Sequence, residues 1–164
     1  MRRPLQRIAL AGCALLLVSA CGFRLQGSKP LPAVLHLAYV QAKDRQSDFV
    51  QDLRKELLSS GARLTTTSED ATAIVHVVND DFTRRVLSVT AATNQPAEYE
   101  ITYTVRFSVS TADKELLPVQ EVSAVRDYTF DERILLAKEN EEAILREALA
   151  HDLADVVMRR LANL

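Results

Sequence analysis

The chain has 164 residues, 48% of them hydrophobic and 26% charged, with 20 Lys+Arg against 22 Asp+Glu and a formal net charge of −2. That length suits one domain, and the slightly acidic balance argues against nonspecific nucleic-acid binding. The two cysteines, Cys13 and Cys21, are too far apart for a Cys-x-x-Cys redox or metal pair.

Arg2, Arg3 and Arg7 precede an apolar run, 8–18, that is too short to span a bilayer as a helix and is of signal-peptide type. Small Ser19 and Ala20 give a peptidase access to the backbone, and Val18-Ser19-Ala20-Cys21 resembles the bacterial lipobox. The resemblance implies that residues 1–20 are removed and that Cys21 carries a thioether-linked diacylglycerol and an acylated amine. Several acyl chains hold a domain firmly, at about 0.8 kcal/mol per buried methylene. Without the leader, 144 residues (21–164) remain, with 17 basic against 22 acidic side chains and a formal charge of −5. Cys21 is then the only cysteine, so stability must come from apolar burial rather than a disulfide.

Residues 21–32 hold Gly27, Ser28, Pro30 and Pro32 and read as a short tether that spans at most about 40 Å. A single domain is expected over 33–164. Residues 34–40 are mostly apolar and predict a first strand. Ser47 then offers a helix N-cap. Phe49, Val50, Leu53, Leu57 and Leu58 recur at helical spacing, and Gly61 is the stop, which predicts a helix over 48–60. Residues 73–78 predict a strand, Asn79-Asp80-Asp81 a turn, and 82–90 a returning strand. Asn94-Gln95-Pro96 is the next turn.

The clearest alternation runs over 98–110, with Tyr99, Ile101, Tyr103, Val105, Phe107 and Val109 on one face and Glu, Thr, Arg and Ser on the other. Such a strand has one core face and one wet face, and it is long enough to bend or to overhang the helices. Val122, Ala124, Tyr128 and Phe130 give the last strand, with an inversion of face at Arg126. Asn140 is the expected N-cap of a final helix whose stripe is Ile144, Leu145, Ala148, Leu149, Leu153, Val156, Val157 and Leu161. Glu142 and Arg146 suit an i,i+4 pair. The elements predict an α/β (α+β) two-layer sandwich, two helices on one face of a mixed, mostly antiparallel sheet.

Only Gly22, Gly27 and Gly61 remain in the mature chain, too few for a phosphate or dinucleotide loop. No GxSxG or HExxH is present. His36, His76 and His151 are scattered, so a metal site is not expected. Glu98 and Glu100 share a strand face without a companion pocket motif and read as solvated. The expectation is a non-enzyme that needs no cofactor.

Cys21-Gly22-Phe23-Arg24-Leu25, Ala97-Glu98-Tyr99 and Leu136-Ala137-Lys138-Glu139-Asn140-Glu141-Glu142 are similar, in the same order, to segments of the LptE family of LPS-assembly lipoproteins. The resemblance implies an outer-membrane lipoprotein on the periplasmic side that plugs the LptD barrel, binds lipopolysaccharide and assists its insertion into the outer leaflet. The family's lysine matches Lys138. Its arginine in the loop before Ala97 falls near Ala92 here, which makes Arg84, Arg85 and Arg133 the candidates to replace it. Two other classes stay open on the residues alone: an auxiliary lipoprotein of another envelope transporter and a lipid-anchored periplasmic hydrolase.

Overall fold

The computed structural model describes residues 30–129 and 135–164, with the backbone alone described over 135–140. After a 3-10 turn (Ala33–Leu35) come β1 (Leu37–Ala42), α1 (Asp48–Ser59), β2 (Arg63–Leu64), β3 (Ala73–Val89), β4 (Pro96–Ser110), β5 (Glu115–Thr129) and α2 (Leu135–Leu161). They form one open sheet in the order β2-β1-β3-β4-β5. β1 is parallel to β2 and β3, and the long β3-β4-β5 meander is antiparallel. Two helices over a mixed sheet are the architecture that the patterning predicts.

Local chemistry sets the ends of α1. Ser47 Oγ accepts from the Val50 N–H at 3.3 Å, the expected N-cap. At the other end Gly61 has φ +90°. The Gly61 N–H reaches the Leu58 carbonyl at 3.1 Å and the Ala62 N–H the Leu57 carbonyl at 3.0 Å, the paired bonds of a Schellman stop.

Both helices run in the same direction, because Asp48 pairs with Arg146 at 2.7 Å and Asp52 with His151 at 3.6 Å. Phe49, Val50, Leu53 and Leu57 of α1 and Leu149, Leu153, Val157 and Leu161 of α2 are buried, as are Val75, Val77, Ile101, Tyr103, Val105, Phe107 and Val109 of the sheet. The strict alternation of β4 is as expected. α1 ends level with Asp80, where its N-cap residue Ser47 donates to the Asp80 carboxylate. Beyond that level, among the described residues, the first turns of α2 accompany the sheet, so β3 to β5 form a distal half that α1 does not cover.

Several local expectations are corrected. The first strand begins at Leu37, since 33–35 turn as a 3-10 helix, and a short β2 is added beside it. Asn79-Asp80-Asp81 is not a turn. β3 continues through it, with a register shift between Val77 and Asn79 that leaves Val78 without a partner on β4. A bulge draws on the same polar residues as a turn but keeps the ladder going. β5 shows no inversion at Arg126: pairing is regular from Thr129 to Gln120, and Arg126 stays on the helix face to meet Asp152 at 3.1 Å. α2 starts at Leu135, which puts Asn140 inside the helix rather than at its cap. Leu58 and Ile144, assigned to buried stripes, are exposed, and so is Ala148.

Candidate functional site

The distal half brings a charged and aromatic cluster under the start of α2. The bulge at Val78 sets the phase of β3 so that Asp80, Phe82, Arg84 and Val86 oppose Val105, Tyr103, Ile101 and Tyr99 on the helix side. Arg84 reaches α2, donating from Nη1 to Glu142 Oε2 at 2.6 Å, and the same oxygen accepts from the Tyr128 hydroxyl at 2.7 Å. The guanidinium lies 4.8 Å from the centroid of the Tyr99 ring, which stacks on Tyr128 at 5.7 Å. Cation–π and charge-assisted contacts thus converge on one carboxylate. Tyr128 and Glu142 both hold the Arg84 proton more tightly. Burial pushes the Tyr128 hydroxyl up to about 12, and the neighbouring Glu142 adds to the shift.

Next to the cluster, Phe82, Arg84, Glu142, Ala143 and Arg146 line a shallow groove. Arg146 lies 6.0 Å from the Phe82 ring centroid and is held by Asp48. Phe82 packs edge-on to Tyr103 at 6.0 Å. The Tyr103 hydroxyl is raised by burial first and by Asp80 second. Glu142 and Arg146 therefore do not pair along the helix; each bridges instead to another element.

Arg85 points the other way. On the outer face of the sheet its Nε and Nη2 donate to Glu100 at 2.5 and 3.0 Å, a forked pair that holds the Glu100 carboxyl below its ordinary value. Arg84 and Arg85 are thus on opposite faces and cannot meet one ligand together. Each already has a carboxylate partner. Cys21 and Arg133 lie outside the described residues, as does the side chain of Lys138, whose backbone is in the first turn of α2. Glu98 and Glu100 do share the outer face, where Ser88 Oγ donates to Glu98 at 2.7 Å.

His76 bonds Ser110 at 2.8 Å and His151 meets Asp52; no group of three metal-ligating side chains occurs among the described residues. No helix among them is long and apolar enough to cross a membrane. The arrangement offers recognition chemistry, with guanidinium, phenol and carboxylate groups around an aromatic floor. The sequence reading missed Glu142 and Tyr128 as parts of this cluster. The signal was present, a buried-phase Tyr on β5 and an acid in the first turns of α2, but it needed the β5–α2 pairing to be read.

The model of the lipopolysaccharide-assembly family LptE matches residues 36–161. The chain belongs to the LptE family. The LPS-assembly lipoprotein LptE of Pectobacterium atrosepticum is 25% identical over 166 residues, covering 100% of this chain and 88% of that one. Among solved structures, a lipoprotein B from Nitrosomonas europaea is 25% identical with a TM-score of 0.70, over 86% of this chain and 90% of that one. The rare lipoprotein B from Shewanella oneidensis is 25% identical with a TM-score of 0.67, over 77% and 94%. This LptE-family chain shares their fold across the domain, from β1 to α2.

Proposed function

We propose that this LptE-family chain is a non-enzymatic lipoprotein, anchored through Cys21 on the periplasmic side of the outer membrane, that seats in the lumen of the LptD barrel and assists insertion of lipopolysaccharide. The observation that carries the reading is the family match over 36–161. The outer face of the sheet agrees with it. Thr83, Thr102, Thr104, Ser108 and Ser123 share that face with the Arg85–Glu100 pair, and a polar face suits the wet interior of a large barrel better than lipid. Lys138 is the residue proposed to meet a lipid A phosphate, as a point charge, with Arg133 near it in sequence. Arg84 and Arg85 are secondary, since each must first release a carboxylate.

Co-purification of the full chain from membranes tests the partner: a stoichiometric β-barrel supports the reading, and an ABC transporter or a partner-free enzyme overturns it. Ligand binding is tested by titrating the full chain with lipopolysaccharide. Lys138→Glu is expected to weaken binding without unfolding the domain, and unchanged affinity would remove Lys138 from the site.

A further inference from the structure

The arginines of the sheet and of α2 that touch carboxylates, Arg84, Arg85, Arg106, Arg126 and Arg146, are neutralised locally. Arg45, Arg54 and Lys55 are not: among the described residues none of the three has a carboxylate partner. These three line one groove together with Gln46, Gln51 and Leu58. It is built from the loop before α1 and a single stripe of that helix, because Gln51, Arg54, Lys55 and Leu58 are spaced i, i+3, i+4, i+7. Asp48 and Asp52 of α1 are held by Arg146 and His151 of α2, and the groove occupies the adjoining stripe of the helix, with lining residues other than those of the groove beside Arg84.

The groove is also pre-arranged. Arg45 donates from Nη2 to the Tyr39 hydroxyl at 2.8 Å, with its guanidinium 5.6 Å from that ring's centroid. Gln51 Nε2 donates to the Gln46 carbonyl at 2.9 Å and ties the loop to the helix. Leu58 continues the same stripe and is 54% exposed. Three cations gathered without a counter-charge repel one another, and a bound anion would relieve that repulsion.

We propose that this groove is a second anionic subsite, which takes a phosphate of a phosphorylated glycolipid. Arg45 and Arg54 supply forked donors and Lys55 a point charge. Gln46 and Gln51 face the sugar, and Leu58 meets the start of an acyl chain. The succession of cation, carboxamide and exposed alkyl group along one stripe follows the order of an amphiphile, which an acidic protein wall would not need. The proposal rests on the reading of this chain as one that binds lipopolysaccharide, and it adds a site built on α1 and the loop before it.

The test is a titration of the full chain in detergent micelles with purified lipopolysaccharide and, separately, with the same lipid stripped of its phosphates. Wild type is compared with Arg54→Gln/Lys55→Gln, a change to a residue of similar helix propensity, and a thermal melt checks that the variant folds. The expected result is a loss of about ten-fold in affinity for the intact lipid and no difference between the two proteins for the dephosphorylated one. Equal affinity of variant and wild type for the intact lipid overturns the subsite while leaving the ligand reading in place. So does a loss of the same size with both lipids. A wild-type chain that binds neither lipid overturns the ligand reading itself and the subsite with it. A variant that binds the lipid normally but no longer co-purifies with a barrel assigns the groove to protein contact and also overturns the proposal.

Discussion

Glu142 gathers two donors on one carboxylate oxygen, from Arg84 and from Tyr128. Removing its charge leaves the Tyr128 hydroxyl without its acceptor and Arg84 without its counter-ion. Glu142→Ala should therefore cost about 1 kcal/mol in urea denaturation, less than a buried charged hydrogen bond, because Arg84 is 47% exposed and screened by solvent. Tyr128→Phe should cost less, and the double variant should be non-additive, since both remove the same contact. The tyrosines also give a pH prediction. The Tyr128 hydroxyl is raised from 10.0 to about 12 in the fold, and Tyr103 is raised too. A raised phenol pKa favours the folded state only while the unfolded chain would lose the proton first. The contribution is complete below pH 10 and is lost as pH rises toward 12. Phenolate absorbance and loss of circular dichroism should consequently rise together across that window. Phenolate formation without unfolding would contradict the burial that raises these groups. For Glu100 the sign is opposite: its lowered value adds stability above the ordinary carboxylate range, which fades as acid protonates it.

Elements with one consistent face were legible from sequence, and those whose ends or phase depend on a neighbour were not. β4 alternates without interruption because β3 and β5 flank it and the helices cover one side. α1 carries its own cap and stop in Ser47 and Gly61. By contrast, nothing local separates a bulge from a turn at Asn79-Asp80-Asp81; the outcome is decided by pairing with Arg106 and Val105. Arg126 looked like a break in face because a charge on a core face needs a partner, and that partner, Asp152, is on another element. The cluster at Glu142 escaped for the same reason. One prediction belongs here. Gly61→Ala should cost about 1 kcal/mol in thermal or urea unfolding, a purely conformational cost, since a Cβ at that position meets nothing within 4 Å. Asn at 61, which tolerates positive φ better, should recover part of that loss.

At the scale of the molecule, α1 and α2 cover the proximal sheet together, and of the two helices α2 reaches the distal half. The shared core makes the domain cooperative, so Phe107→Ala, at a position with no solvent exposure, should cost about 3–5 kcal/mol and should still give one transition by fluorescence and by circular dichroism. On the proposed reading of a lipid-anchored barrel partner, the protein contact should outweigh the lipid: Cys21→Ser, exported by another signal, should still assemble with the barrel, and loss of the complex on pull-down would reverse that order. The bulge at Val78 carries a further consequence. A strand's sidedness is a two-valued property, and one unpaired residue in mid-strand decides its value from Asn79 to the next shift after Val86. Deleting Val78 would remove the unpaired residue and leave Arg84 beneath α2, whereas deleting Asp81, inside the regular ladder, would exchange Arg84 for Arg85 there and swap the inner and outer faces of β3 as far as Val86. A deletion of the same length within 90–95 would shorten a loop and leave both faces as they are. Length changes in this chain are thus tolerable or ruinous according to whether they fall on an unpaired residue or within the regular ladder.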